Sequence, residues 1–514
     1  MVFTAERKSN VKIDNLKIEA QIRRSLPQNS IAEVVVKMLE TLKITKAYGV
    51  SGGAIAPLWN ALERSSIEVL HFRHEAGAAF AAAEAYFASG EPVVVFATTG
   101  PGLTNALTGL LAARWEGAKV IFVSPFTSAA QRGRFAFQET SAYTTPISDI
   151  FTSGKVFDFA ATLECASELP GIKARLARGF AAPGSFVAHL SVPTATQTHL
   201  TDISLPEVKL SGSKVTARKK AIDRCAELLK EGPFAIWVGF GARGAAKKIR
   251  KLAERTGAAV MCSPRAKGIF PEDHPQFIGV TGFGGHSSVL TYMQEYLPQR
   301  VLVLGTRLGE FTSFWNPAMV PERGFIQVDI DPQAFGAAYP GVETVSIQSD
   351  AKVFVKRLLE RFPKKSPPPA SFPRPKREQI NPEPEGPVRP QVLMQEIQRV
   401  IVEGSDAVVM TEAGTSFAWG TNALRFRRPG RYRVSTGFGS MGHAVTGVLG
   451  AALASKGKAV AIAGDGAMLM NSEVSTAVQY GIPAVWIVLN DGRYNLCDQG
   501  MAALGFEGIN ATIP

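Results

Sequence analysis

From Ile31 to Val192, short apolar runs alternate with helix-length stretches of small residues, and glycines punctuate the junctions. Lys46–Val50, Val93–Thr98 and Lys119–Ser124 read as strands, and Glu75–Ala88 and Leu103–Ala113 as helices. Strands that alternate with helices this regularly specify a parallel α/β sheet with helices on its faces. The same rhythm returns twice. A second unit carries strands at Pro233–Val238, Ala258–Cys262, Arg300–Leu304 and Gly324–Val328, with a helix at Ala245–Thr256. A third begins with a helix near Gln391, followed by the strand Asp406–Thr411. A chain of 514 residues is expected to divide into about three domains of ~100–200 residues. The expected division is an N-terminal arm (1–30), a first domain (31–192), a central domain (193–362), a Pro-rich basic linker (363–390) and a third domain (391–514). The first and third units share their element order, which suggests a duplicated domain. The third is shorter, and Gly505–Pro514 reads as mid-domain chain, so a C-terminal portion is expected to be missing or separately removed.

Composition narrows the class. With 46% hydrophobic and 19% charged residues, the chain has the makings of well-buried cores. Its apolar stretches break at Gly, Pro or charge before the ~18 residues a membrane span needs, so no membrane association is expected. Met1 to Arg24 mixes charges and lacks the apolar centre of a secretory signal. Cys165, Cys225, Cys262 and Cys497 are far apart and without metal spacing, which fits reduced thiols in the cytoplasm. The net charge of +12 concentrates in Lys214–Arg255 and Arg361–Arg377, with no aromatic interleaving and no nucleic-acid module. Solvated helix faces and a basic linker explain it, with attraction of anionic substrates as a second reading.

The chemistry-bearing segments lie where strands end. Gly464-Asp465-Gly466 follows the strand Lys458–Ala463, and Asn490-Asp491-Gly492 follows the strand Ala484–Leu489. Ligands of parallel sheets gather at such strand ends. A carboxylate and an amide oxygen there suit a hard cation such as Mg²⁺ gripping a diphosphate. Glycines allow close backbone approach, and a helix N-terminus favours negative charge. The plainer alternative is an ordinary Asp-Gly turn. In the first unit, Glu75 opens a helix after the strand Glu68–Phe72, where an acidic residue also simply complements the helix dipole. Gly49-Val50-Ser51-Gly52-Gly53, Thr98 to Asn105 and Phe137-Gln138-Glu139 end neighbouring strands, so all four segments are expected to converge.

The order GVSGG, HE-GAAFAA-AY, TTGPGLTN and FQE resembles the pyrimidine-binding domain of acetolactate synthase-like enzymes. Gly437 to Gly442 and the Gly464-Asp465-Gly466 segment are similar to their diphosphate-binding domain. The likeness spans roughly Ile31 to Asn490. It implies thiamine diphosphate and Mg²⁺ as cofactors and three α/β domains: pyrimidine, central Rossmann-like and diphosphate. By the resemblance, Glu75 hydrogen-bonds N1′ of the aminopyrimidine and favours the tautomer whose N4′ removes the thiazolium C2 proton. The Gly439 carbonyl accepts from N4′, and Met441 is the apolar wedge that bends the cofactor, with Ser440 between them; Met441 as a plain core methionine is the alternative. Asp465, Asn490 and the main-chain oxygen of Gly492 match the metal ligands, and Gly466 and Ala467 face the diphosphate. Gly414, Thr415 and Ser416 stand at a further diphosphate loop, although Gly-Thr-Ser is also ordinary N-cap chemistry. Gly53, Phe137 and Gln138 match substrate-side positions. The resemblance further implies a homodimer or tetramer with active sites between chains, since Glu75 and Asp465 lie in different units.

Departures from the pattern bear on the substrate. Asp491 replaces the second Asn of the family motif. His443 stands where acetolactate synthases usually carry an aromatic residue; a substrate-facing acid/base role and a structural, hydrogen-bonding role are both open. Arg493 to Gly500 does not resemble the family's sequence there, which leaves room for a specialised acyloin synthase with a larger, aromatic acceptor. Gly239 to Gly244 forms a lone GxGxxG without the acidic residue that ribose recognition needs, so NAD is not expected. Arg307 to Phe311 differs from the acidic stretch of FAD-binding relatives, so FAD is not expected either. The reading is a lyase/transferase that decarboxylates a 2-oxo acid and ligates the product to a second carbonyl acceptor. The alternatives are a 2-oxo acid decarboxylase or oxidase without ligation, or a non-catalytic scaffold relative. No His-His pair of the decarboxylase kind occurs.

Overall fold

The computed structural model describes residues 29–141, 143–145, 148–209, 214–363, 371–376, 380–381, 385–506, 508 and 510–513. Most of the expected N-terminal arm and much of the linker therefore lie outside the described residues. Three parallel sheets carry the fold. The first contains β1 (Lys46–Gly49), β2 (Glu68–His71), β3 (Val93–Phe96), β4 (Lys119–Phe126), β5 (Phe159–Thr162) and β6 (Phe186–Pro193), in the spatial order β2-β1-β3-β4-β6-β5. The second contains β7 (Phe234–Val238), β8 (Ala259–Cys262), β9 (Phe277–Val280), β10 (Arg300–Leu304), β11 (Phe325–Asp329) and β12 (Thr344–Gln348), ordered β9-β8-β7-β10-β11-β12. The third contains β13 (Val408–Thr411), β14 (Tyr432–Val434), β15 (Ala459–Gly464) and β16 (Ala484–Leu489), ordered β14-β13-β15-β16. That order repeats the winding of the first four strands of the first sheet.

Central strands are continuous apolar runs because both faces are covered. Every residue of β4 and β6 is buried. Lys119 is accommodated because its ammonium donates to the carbonyls of Phe180 and Ala182. At the far edge of the third sheet, β16 leaves Val485 and Val488 exposed.

Helix α1 (Glu75–Ser89) is the hinge of the architecture. It is apolar on nearly every side, the mark of a helix covered all round. Helix α2 (Pro101–Glu116) packs on one flank, where a Cβ at Gly109 would come within 2.5 Å of the Ala79 Cβ. Of the third unit's helices, α3 (Thr415–Ala423), α4 (His443–Ser455) and the short α5 (Asp465–Met468), α4 covers the other flank. There a Cβ at Gly450 would overlap the Ala81 carbonyl oxygen. Small residues on both helices thus weld the first and third units into one core, in which Ala81, Ala85, Val448 and Ala461 are all fully buried. Within the linker, Ser371 and Phe372 lie against the central unit: Phe372 packs on Tyr292 and Tyr296, and Tyr296 Oη donates to the Ser371 carbonyl at 2.7 Å.

Candidate active site

At the first sheet's C-terminal edge, the loops after β2, β1, β3 and β4 stand side by side because their strands do. Glu75 is 7% exposed, and its Oε2 accepts from Asn105 Nδ2 at 3.2 Å. Its Oε1 lies 3.3 Å from where a Gly102 Cβ would stand, so glycine there keeps the carboxylate accessible. Gly52 packs on Thr98, and Gly100 on Gln138. Gln138 adopts a left-handed φ of 52°, strained for a non-glycine residue, and Phe137 is 92% exposed. A Cβ at Gly53 would meet nothing within 4 Å. The four expected segments are therefore neighbours.

The turn that presents Glu75 is anchored from the third unit. The Arg73 and His74 N–H groups donate to Glu473 Oε1 at 3.1 and 3.0 Å, and Thr476 Oγ1 donates to Glu473 Oε2 at 2.6 Å. Glu473 is fully buried. Sequence reasoning missed it; its position just before a short helix is the one local signal, and the Arg73 it anchors lies 400 residues away.

At the third sheet's C-terminal edge, β15 and β16 pair through Gly464 and Leu489, which sets Asp465 beside the turn after β16. Asp465 Oδ2 accepts from the Gly492 N–H at 2.7 Å, and Oδ1 from the Gly466 N–H at 2.9 Å. Asn490 is exposed at the end of β16. The Gly492 carbonyl accepts from Ile513 N at 2.8 Å, which leaves it a second lone pair. Gly466 must lack a side chain, because a Cβ there would stand 2.5 Å from the Tyr494 ring. Among the described residues no three His, Cys, Asp or Glu side chains cluster as a metal centre. A carboxylate, an amide and a main-chain oxygen nevertheless stand on these two neighbouring turns, and oxygen donors are the kind Mg²⁺ takes.

The loop after β14 carries the remaining groups. Gly439 has φ +66° and is exposed, and Met441 is 42% exposed. The plain core-methionine reading of Met441 therefore fails within this chain. Ser440 Oγ is buried without a hydrogen-bond partner. A buried hydroxyl left unpaired costs about 1–3 kcal/mol, so a ligand that bonded Ser440 Oγ would gain by doing so. These features fit a diphosphate cofactor. Gly414 holds φ +103° at the N-cap of α3, and Thr415 beside it is partly exposed.

Two expectations need correction. The Ser416 hydroxyl does not face a phosphate: it is 1% exposed and donates to the Glu412 carbonyl at 2.9 Å, the back-bond of a helical serine. His443 does not face substrate. It is 3% exposed, packs in a tilted arrangement on Phe80 with ring centroids 5.0 Å apart and bonds Glu84 Oε1 through Nε2 at 2.9 Å. Glu84 also takes the Arg433 guanidinium at 2.8 and 3.0 Å. Burial alone would raise the Glu84 carboxyl, but Arg433 and His443 hold it far below the usual carboxylate range. Burial alone would lower His443, yet Glu84, with Glu116 and Glu412 behind it, raises it. Glu412 Oε2 accepts from the N–H groups of Ala444 and Val445 at 2.8 and 3.1 Å and caps α4. Of the roles open to His443, the structure gives it the structural one, in the seam between α1 and α4.

The N-terminal TPP-binding domain of thiamine pyrophosphate enzymes matches residues 29–145, their central domain 222–358 and their C-terminal TPP-binding domain 412–510. The chain belongs to the thiamine pyrophosphate enzymes, in their acetolactate synthase-like branch. It is 27% identical to an acetolactate synthase of Mycobacterium bovis, over 95% of this chain and 80% of the relative. It is 29% identical to an acetolactate synthase large subunit of Corynebacterium glutamicum, over 93% and 77%. A probable acetolactate synthase large subunit of Methanocaldococcus jannaschii is 28% identical, over 90% and 80%. Among the described residues no helix is long and apolar enough to cross a membrane.

Proposed function

We propose that the chain is a thiamine-diphosphate- and Mg²⁺-dependent carboligase. It decarboxylates a pyruvate-like 2-oxo acid and joins the remaining acyl unit to a second carbonyl compound, giving an acyloin or acetolactate-type product. The observation that carries this reading is the buried Glu75 carboxylate, kept open to a ligand by Gly102, in a chain that also brings Asp465 to Gly492. When bound, the cofactor supplies the carbon nucleophile and the electron sink for loss of CO₂. Glu75 would hold a proton at N1′ of the aminopyrimidine. Gly439 would accept from the 4′-amino group, and Met441 would support the bent conformer. Asp465, Asn490 and the Gly492 carbonyl would hold the metal, while Gly414, Thr415, Ser440, Gly466 and Ala467 would face the diphosphate. Gly53, Phe137 and Gln138 would line the acceptor side.

Each site would need two chains, one giving Glu75 and the other the diphosphate edge. Within one chain Glu75 answers to Asn105, and the Met441 face is open, which supports a homo-oligomer. Four free cysteines support a cytoplasmic setting. The test is incubation with thiamine diphosphate, Mg²⁺ and a panel of 2-oxo acids with candidate carbonyl acceptors, followed by mass analysis. Coupled products with CO₂ release are expected. Free aldehyde alone would indicate a decarboxylase, and no turnover of any 2-oxo acid would favour a scaffold.

A further inference from the structure

The last turn of α2 touches the cofactor loop, and the central unit holds that turn. Glu116 is 4% exposed, and its Oε1 accepts from Ser435 Oγ at 2.7 Å and from the Gly437 N–H at 3.2 Å. Ser435 Oγ in turn accepts from the Gly439 N–H at 3.1 Å. One carboxylate oxygen thus fixes the backbone that leads into Gly439, Ser440 and Met441. The other oxygen is taken by Arg265 Nη1 at 2.7 Å, and Arg265 Nη2 donates to the Glu116 carbonyl at 3.1 Å. The preceding residue repeats the arrangement. The Trp115 indole fills the space beside Gly437, where any Cβ would overlap it. Arg307 stacks 5.5 Å over that indole and donates to the Trp115 carbonyl at 2.7 Å. Arg265 follows β8 and Arg307 follows β10, so both arginines leave the C-terminal edge of the central sheet.

We propose that Glu116 is a positioning residue for the cofactor, acting through Ser435 and Gly437 and locked by Arg265, with Trp115 and Arg307 as a second clamp. The central unit thereby sets the shape of the 435–442 loop without touching the cofactor. Burial would raise the Glu116 carboxyl, but Arg265 and the neighbouring cations keep it low, so the loop is held by a charged acceptor. Charged acceptors form the stronger hydrogen bonds. The inference rests on the reading that thiamine diphosphate binds at this loop.

The test titrates thiamine diphosphate with Mg²⁺ into the full chain and into Glu116→Gln, Arg265→Lys and Arg307→Ala, following tryptophan emission. Near-ultraviolet circular dichroism of the bound cofactor is recorded at saturation. Glu116→Gln is expected to weaken binding about 10–100-fold, the effect of losing a charge-assisted hydrogen bond, and to alter the dichroism. Arg265→Lys keeps the charge and is expected to fall between it and the wild type. Lys267→Met removes a different buried ion pair, to Glu272 at 2.9 Å, and controls for general loosening. Equal affinity and equal dichroism in Glu116→Gln and wild type would overturn the proposal while the cofactor reading stands. The same loss in Lys267→Met as in Glu116→Gln would also overturn it. A wild-type chain that does not bind thiamine diphosphate would overturn both.

Discussion

The seam joins α1 of the first unit to α4 of the third, the diphosphate edge lies in the third unit alone, and the two differ in how far their side chains are met by the chain's own charges. In the seam, Glu84 is shared between Arg433 and His443, Glu412 caps α4, and glycines at 447 and 450 bring the helices into contact. Along the diphosphate edge, Ser440 Oγ is buried and unpaired, Met441 is open, and Asn490 is exposed. In the seam the charged groups answer one another, although Arg433 Nη1 and His443 Nδ1 stay buried without a hydrogen-bond partner. At the edge, Ser440 Oγ finds no partner and Met441 and Asn490 stay open, which fits the proposed cofactor. Rigid packing beneath the site thus leaves the loops above it shaped for a ligand, and disturbing each region should have its own signature.

The largest expected effect falls on chemistry alone. Glu75→Gln should lower kcat by about 10²–10⁴-fold, the usual range for a lost acid/base group, while cofactor affinity changes little. Unchanged turnover in steady-state assays would remove Glu75 from the mechanism. Next comes the seam. Glu84→Ala leaves Arg433 and His443 without their counter-charge and should cost about 3–5 kcal/mol in denaturant unfolding. Gly450→Ala should cost about 1–3 kcal/mol by overpacking against Ala81. Loss of cofactor binding without loss of stability in either variant would break the division between seam and edge.

Acidity gives a subtler test. The His443 pKa is raised in the folded chain from its ordinary 6.5, because Glu84, Glu116 and Glu412 outweigh its burial. Its contribution is therefore fully present below pH 6.5 and disappears as pH rises through the folded-state value. Thermal unfolding of the wild type should show that loss on the alkaline side, and His443→Phe should lack it. The smallest effects separate two serines. Ser440→Ala should weaken thiamine diphosphate binding about fivefold, the scale of one neutral hydrogen bond. Ser416→Ala should leave binding unchanged, because that hydroxyl serves the Glu412 carbonyl.

What could be read in the sequence was local. Strand, turn and helix follow one another along the chain, so Glu75, Asp465 and Asn490 could be placed at strand ends from periodicity and glycines alone. The shared element order of the first and third units was legible too, and their sheets share the strand order that such a likeness suggests. What stayed hidden was non-local. A substrate-facing role for His443 stayed open beside the structural one because nothing near it in sequence shows that Glu84, 359 positions earlier, lies opposite. Glu473, Glu116 and Arg265 carry no motif; their roles come from partners in other units. Ser416 was misread because a serine in a first helical turn can donate outward or back to its own helix. Only the backbone position of Glu412 decides between them.

The central claim is that this chain holds thiamine diphosphate through a metal gripped by Asp465, Asn490 and Gly492. Calorimetric titration of thiamine diphosphate into the full chain, with Mg²⁺ and with chelator, tests it most directly. Saturable binding that requires Mg²⁺ and is abolished in Asp465→Ala at unchanged thermal stability is expected. Binding that is indifferent to both the metal and Asp465, or absent from the wild type, would contradict it.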